Sequence, residues 1–287
     1  MSQAKSVAIL YHGGCPDGFG GAYAAWKKFG DAAEYIPVKH QRPPPKDLDG
    51  KTLYFIDFCY PQDIMDAYRA QAASVTVLDH HLSVRSVVES MPAHVFDQNR
   101  SGATIAWAYF HPDTSVPKLL SYVEDGDLYR FALPDSRALL AYLYTEPFHF
   151  DEWDALALSL ETNDGYAAFV STGEAYARHF AILVEQMARR ASLVEFEGIE
   201  CYVVGSSGIF ASDLGNLLAK TKPPLGIVTH LTGDVLSVSL RSDEALDVSL
   251  LAQKYGGGGH PRAAGFDIAW GTPLPWRVIK EHENPRH

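Results

Sequence analysis

The sequence predicts a two-part α/β chain. It has an N-terminal, mostly parallel sheet flanked by helices, a linker helix, and a smaller C-terminal mixed α/β domain. Three observations carry this expectation. Short β-branched and aromatic runs alternate with amphipathic stretches through the first half, the rhythm of a parallel sheet covered on both faces. Apolar residues then follow helical spacing at Phe180, Leu183, Val184, Met187 and Ala191. Beyond that helix, strand-length runs return with a Gly-Asp turn between two of them. At 287 residues the chain exceeds one average domain and suits two.

Taken in order, Ser6 to Tyr11 (SVAILY), Thr52 to Ile56 (TLYFI), Ser74 to Leu78 (SVTVL) and His94 to Phe96 have strand length and composition. Gly20 to Phe29, Pro61 to Ala73 and Gly102 to Phe110 read as helices. Pro117 to Leu160 reads as predominantly helical, interrupted at Pro134 and Pro147, since proline removes a helix hydrogen bond and clashes with the preceding turn. The long amphipathic helix is expected to end near Glu195–Gly198. It connects a domain at 1–170 to one at 199–287, with 171–198 as the connector. In the second domain, 201–205, 225–231, 235–242 and 266–270 are expected strands. Ala211 to Lys220 and Asp247 to Tyr255 are expected helices, and Gly233-Asp234 is a hairpin turn. Pro43-Pro44-Pro45 is a stiff loop.

Charge narrows the function. There are 24 Lys+Arg against 35 Asp+Glu, a net charge of -11. A protein that coats long nucleic acid needs many basic phosphate contacts, so that class is excluded, whereas a small anion with local neutralisation is allowed. No apolar run approaches the roughly 20 residues that span a bilayer, and the N-terminus lacks the pattern of a signal peptide. Cys15, Cys59 and Cys201 form neither a disulfide framework nor a paired CxxC zinc site. A cytoplasmic protein is expected, with no membrane partner.

The informative pattern is positional. His12 and Asp17 follow the first expected strand, Asp57 ends the second, and Asp79, His80 and His81 end the third. Ligands of parallel sheets bind beyond the carboxyl ends of the strands, so one edge receives a set of carboxylates and imidazoles. Asp125 and Asp127, in VEDGDLYRF, are further acids able to approach it. A single Asp at a strand end is ordinarily a cap or an Asx turn, and His80-His81 alone would pass for a surface pair. Their coincidence at consecutive strand ends favours a metal site. Gathered carboxylates repel unless a cation separates them, and mixed Asp/His ligation suits Mn²⁺, with Mg²⁺, Co²⁺ or Zn²⁺ less favoured. Two ions roughly 3.5–4 Å apart can activate a water and clamp a phosphoryl group.

His12-Gly-Gly-Cys-Pro-Asp-Gly-Phe-Gly-Gly follows a strand and opens a helix, but it lacks the Gly-Lys-Ser/Thr ending of a Walker loop and does not fit GxGxxG. Cys15 has no marked triad partner, so a buried or weakly ligating thiol is the better reading. A second constellation is Gly256, Gly257, Gly258, Gly259, His260, Pro261 and Arg262, continuing Ala-Ala-Gly-Phe. Glycines let backbone N–H groups approach an anion, and the Arg262 guanidinium matches phosphate geometry. Arg241 and Ser242 could join them. A flexible surface loop is the bland alternative; the Ala-Ala-Gly-Phe-Asp-Ile that follows argues for close packing and a phosphate or nucleotide clamp.

The Asp79-His80-His81 triplet together with GGGGHPRAAGF, some 180 residues later, resembles the signatures of the DHH/DHHA1 phosphoesterase superfamily across nearly the whole chain. The resemblance implies an N-terminal DHH domain with two Mn²⁺ ions and a C-terminal DHHA1 domain that binds substrate across a cleft. It implies His12 and Asp57 at the first ion, and Asp17, Asp57 and His80 at the second, with Asp57 bridging. The fourth motif falls on Asp125 or Asp127, the latter favoured by its context. His81 would lie against the scissile phosphate, and Asp79 would orient His80. One departure stands out. The family's first motif places two Asp residues as DxD after its His, where this chain has Cys15-Pro16-Asp17, with Phe at position 19. Either Cys15 replaces a ligand or the first site lacks one. The C-x-D-G form is similar to that of the oligoribonuclease and cyclic-nucleotide phosphodiesterase branches.

The resulting expectation is a phosphodiesterase acting on short RNA or DNA, linear dinucleotides or cyclic nucleotides. A phosphomonoesterase acting on nucleotide bisphosphates such as pAp, a cyclic dinucleotide hydrolase and a catalytically weak nucleotide-binding protein are the alternatives. A homodimer is compatible with this reading, though no residue marks its interface.

Overall fold

The computed structural model describes residues 5–39, 42–243 and 245–280. The chain divides into two compact units, Met1–Ala177 and Arg178–His287. Residues 281–287 of the expected C-terminal domain lie outside the described residues.

The first unit is built on five parallel strands, β1 (Val7–His12), β2 (Ala33–Val38), β3 (Thr52–Ile56), β4 (Ser74–Asp79) and β5 (Ala93–Phe96), in the order β2-β1-β3-β4-β5. Strand periodicity sends alternate residues to opposite faces. Ala8, Leu10, Leu53, Phe55, Val75 and Val77 pack on one side with Met65 and Tyr68 of α2 (Gln62–Gln71) and Val88 of α3 (Arg85–Ser90). Ile9, Tyr11, Ile56 and Leu78 pack on the other with α1 (Pro16–Phe29), α4 (Gly102–Phe110), α5 (Lys118–Asp127), α6 (Ser136–Leu143) and α7 (Phe150–Leu160). The proline interruptions at 134 and 147 fall between α5 and α6 and between α6 and α7, as expected.

Two elements of this unit differ from the sequence reading. Strand β2 carries Pro37 and is absent from that reading; proline is tolerated because β2 is an edge, bonded to β1 alone. Helix α1 begins at Pro16 rather than Gly20. Its glycines read as loop residues in sequence, yet they set close packing: a Cβ on Gly21 would lie 2.3 Å from Ile56 Cγ2, and one on Gly20 2.9 Å from Ala103 Cβ.

The long helix, α8 (Asn163–Ala188), starts earlier than expected and ends earlier. The expected end near Glu195–Gly198 is corrected: residues Ser192–Phe196 form β6, paired antiparallel with β7 (Ile199–Gly205). Glu197 and Gly198 both have positive φ, 51° and 78°, the signature of a two-residue hairpin turn. The sheet of the second unit runs β10-β11-β9-β8-β7-β6-β12. Its remaining strands are β8 (Leu225–Thr232), β9 (Val235–Ser242), β10 (Gly258–His260), β11 (Ala263–Ala269) and β12 (Trp276–Lys280), with helices α9 (Ala211–Thr221) and α10 (Val248–Gln253). In this sheet, among the described residues, only β7 and β8 pair in parallel, and Gly233-Asp234 turns β8 into β9 as expected. No helix among the described residues is long and apolar enough to cross a membrane.

Trp153 of α7 is fully buried against the Phe19 ring of α1, with centroids 4.9 Å apart edge-on. Trp153→Ala is expected to remove about 3–5 kcal/mol of stability, read as a lowered denaturant midpoint by far-UV circular dichroism.

Candidate metal centre

The carboxyl ends of β1, β3 and β4 lie side by side, because these strands are neighbours in parallel register. His12 is the last residue of β1 and Asp79 the last of β4, while Asp57 directly follows β3. Asp17 enters from the first turn of α1 and Asp127 from the end of α5. The sequence-expected donors therefore meet. His80 Nε2 lies 3.2 Å from Asp57 Oδ1, 3.6 Å from Asp127 Oδ2 and 3.7 Å from Asp17 Oδ2. His12 Nδ1 is 3.4 Å from Asp57 Oδ2, and His81 Nδ1 is 3.6 Å from Asp57 Oδ1.

Asp57 is the shared member. Its φ of 57° is left-handed, a conformation that costs most residues energy and that Asp tolerates better than most. Its backbone N–H donates to Leu78 O at 2.9 Å. This fixes the residue at the strand end while its two oxygens face different imidazoles.

Asp17 is 2% exposed and held from α4: its Oδ2 accepts from Gly102 N at 2.7 Å and its Oδ1 from Ala103 N at 2.9 Å. An acid at a helix N-terminus is favoured by the free N–H groups and the dipole. Gly102 leaves no space for a side chain there, since a Cβ would lie 2.5 Å from Asp57 Cβ and 3.0 Å from Asp17 Oδ2. Sequence reasoning did not find this glycine; it reads as an ordinary helix start.

Two expectations need correction. Of the two acids left open at the fourth motif, Asp127 joins the cluster and Asp125 does not. Asp125 is buried, with Oδ1 accepting from Ala132 N at 2.9 Å and Oδ2 from Leu133 N at 3.2 Å, and it shapes the chain reversal after α5. Asp79 does not orient the His80 ring as expected. Instead its Oδ1 accepts from His81 Nδ1 at 2.8 Å, from His81 N at 2.9 Å and from His80 N at 2.6 Å. This is an Asx turn that fixes the His81 imidazole. Asp79 Oδ2 is buried with no hydrogen-bond partner among the described residues.

Cys15 caps α1, its Sγ accepting from Gly18 N at 3.3 Å. The same sulfur is 3.2 Å from His12 Nδ1 and 3.6 Å from Asp57 Oδ2.

The electrostatics show a site short of positive charge. Burial, then the Asp127 and Asp57 charges, raise the Asp17 carboxyl well above its ordinary value. Desolvation and Asp57 lift Asp127 to about 6. Burial works against the His80 imidazolium, but the Asp57 hydrogen bond and the Asp127 and Asp17 charges raise it to about 10. His81 rises too: burial opposes its charge and the bond to Asp79 prevails. Asp57 goes the other way, because bonds to His12 and His80 outweigh its burial. Burial and Asp57 push the Cys15 thiol up. A cation would relieve this repulsion, and the donor set fits one: His12, Cys15 and Asp57; Asp57, His80 and His81; and Asp17, His80 and Asp127 each offer three ligand atoms within 4.8 Å of one another.

The second constellation is more structured than a glycine loop. Gly258–His260 is strand β10, opposite Gly265, Ala264 and Ala263 of β11. Gly257 packs so tightly that a Cβ would lie 2.0 Å from Gly265 O, and Gly259, at φ 141°, has Ala263 O 2.5 Å from the same point. Arg262 is exposed and His260 half-buried. Arg241 is engaged through its guanidinium, with Nη1 donating to Leu240 O and Nη2 to Ser212 Oγ, both at 2.9 Å. Ser242, expected to join a clamp, points inward: its Oγ is 2.6 Å from Leu246 O.

The DHHA1 domain matches residues 202–272. The chain is 30% identical to Uncharacterized protein R106 of Acanthamoeba polyphaga mimivirus over 90% of its length and 66% of that protein's. It is 36% identical to Oligoribonuclease NrnB of Bacillus subtilis (strain 168) over 28% of its length and 20% of that protein's. The chain thus spans less than two thirds of either relative. The fold is similar to that of RecJ in complex with Mn²⁺ from Thermus thermophilus, with a TM-score of 0.52, 16% identity, and coverage of 91% of this chain and 49% of that one.

Two outcomes follow from this geometry. Gly102→Ala is expected to weaken divalent-cation binding by about tenfold or more, since displaced supporting groups commonly cost that much, with the far-UV spectrum unchanged; titration calorimetry with Mn²⁺ reads it. In the metal-free protein, His80 and Asp127 bind protons more tightly folded than unfolded. The Asp127 share of stability is lost as pH rises from its ordinary 3.8 to about 6, and the His80 share as pH rises from 6.5 through about 10. Melting temperature without metal is therefore expected to fall between pH 6.5 and 9, more steeply than in His80→Gln, and saturating Mn²⁺ is expected to flatten the profile.

Proposed function

Because the chain belongs to the DHH/DHHA1 phosphoesterase superfamily, we propose that it is a two-metal phosphodiesterase hydrolysing short oligonucleotides, linear dinucleotides or cyclic nucleotides to nucleoside monophosphates. The convergence of His12, Asp17, Asp57, His80 and Asp127 at one sheet edge, with Asp57 shared, is the observation that carries it. The oligoribonuclease named among the relatives supports a nucleotide substrate, and the net charge of -11 favours a small one over a long strand. Free thiols at Cys15, Cys59 and Cys201 suit the reducing cytoplasm.

When bound, two divalent cations such as Mn²⁺ supply a water of lowered pKa and neutralise charge on the phosphoryl oxygens. The chain's own residues do the rest. Asp57, Asp17, His80, His12 and Asp127 would hold the ions. The bond from His81 Nδ1 to Asp79 Oδ1 fixes the imidazole, on a ring 35% exposed, and His81 Nε2 is the proposed contact of the scissile phosphate. An incoming water oxygen bonds to phosphorus as the P–O ester bond breaks, and a proton ends on the leaving oxygen. His260, Arg262, Arg241 and the Gly257, Gly258 and Gly259 backbone are the proposed anion-binding groups of the second unit.

Product analysis in Mn²⁺ tests the reading on pApA, a 24-mer, cyclic AMP, cyclic di-AMP, pAp and pyrophosphate. Nucleoside monophosphates from the short diesters are expected, with turnover lowered at least a hundredfold in Asp57→Ala and His80→Ala. Inorganic phosphate from pAp alone would move the protein to the monoesterases. Tight nucleotide binding with no product would make it a binding protein.

A further inference from the structure

The proposed activity treats both cations alike, but the donors do not. Two of the three donor sets contain nitrogen and oxygen only, Asp57 with His80 and His81, and Asp17 with His80 and Asp127. The third adds sulfur. Cys15 Sγ stands 3.2 Å from His12 Nδ1 and 3.6 Å from Asp57 Oδ2, and the three ligand atoms lie within 4.8 Å of one another. We infer that Cys15 is a thiolate ligand of one cation, together with His12 and Asp57, and that this position selects a softer ion than its neighbour. The inference rests on the metal-dependent reading above and specifies one half of that site.

A structural role explains Cys15 less well. It caps α1, but caps are ordinarily Ser, Thr, Asp or Asn, whose oxygens accept N–H bonds better than sulfur does. Here the sulfur also faces the imidazole and the shared carboxylate, which a cap does not require. Its Sγ sits beside the same two side chains, His12 and Asp57, that the site would use as ligands.

Ligation is a simple exchange. The S–H bond breaks, its proton passes to solvent, and a sulfur lone pair bonds the cation, with no change of oxidation state. Thiolate ligands shift preference from Mn²⁺ and Mg²⁺ toward Zn²⁺, Co²⁺ and Fe²⁺. The centre would then hold one borderline ion at His12, Cys15 and Asp57, and one hard ion among Asp17, Asp57, His80 and Asp127.

Cobalt reports this directly. Metal-stripped protein, kept reduced with a phosphine, is titrated with Co²⁺ and followed by absorption. A near-ultraviolet thiolate-to-cobalt charge-transfer band equivalent to one site per chain is expected. It should vanish in Cys15→Ser and Cys15→Asp while visible ligand-field absorption from bound Co²⁺ persists. Cys15→Asp is further expected to lower the Zn²⁺-over-Mn²⁺ affinity ratio about tenfold or more. A band retained in Cys15→Ser, or ligand-field absorption in the wild type without any charge-transfer band, would overturn the assignment and leave the phosphodiesterase reading standing. The band without turnover on any of the substrates would uphold Cys15 and remove the activity. No Co²⁺ uptake would remove both.

Discussion

Asp57 is where the constraints of the N-terminal unit meet. One carboxylate answers to His12 on one oxygen and to His80 and His81 on the other. The backbone that allows this is left-handed, a conformation of the kind that costs about 1–3 kcal/mol and that the bond from Asp57 N to Leu78 O helps to hold. Everything around it is arranged to leave that residue room. Gly102 withholds a side chain, and Asp17 is anchored by the first N–H groups of α4. The sheet supplies the framework, since β1, β3 and β4 are adjacent and parallel and must end at one edge.

Much of this is legible in the sequence because it obeys short-range rules. Strands β3 and β9 and helix α4 coincide with their expected spans, since period-two runs and an apolar stretch opened by Ser101 leave little choice. Strand-end acids and imidazoles can be counted without knowing the fold. What escapes is what depends on neighbours. Strand β2 hides behind Pro37, which only an edge position permits, and the start of α1 hides behind glycines that look like loop but make space against Ile56 and Ala103. Strand β6 merges in sequence with the helix before it, because Leu193, Val194 and Phe196 continue an apolar pattern whose period a short window does not fix. Asp125 and Asp127 sit two apart in the last turn of one helix, so they face different ways; sequence cannot say which way is inward.

The second unit shows the same limit from the other side. GGGGH is recognisable as a backbone that something approaches closely, and something does, but part of that something is the chain itself. Gly257 and Gly259 make room for Gly265 and Ala263 of β11. Their small size is already required by strand pairing, before any anion is considered. Gly256, Pro261 and Arg262 are exposed, and Gly257 to His260 are half-buried.

Proline in β2 has a consequence of another kind. An open parallel sheet has two rims, and a rim of unmet N–H and C=O groups invites a strand from another molecule. Here one rim contains Pro37, which has no N–H to offer, and the other is β5, four residues long. Both rims are poor templates for strand addition. The unit that gathers so much charge at the end of its sheet is thereby protected along its sides, and crowding of this protein in a cell has no ready β-edge there to propagate from.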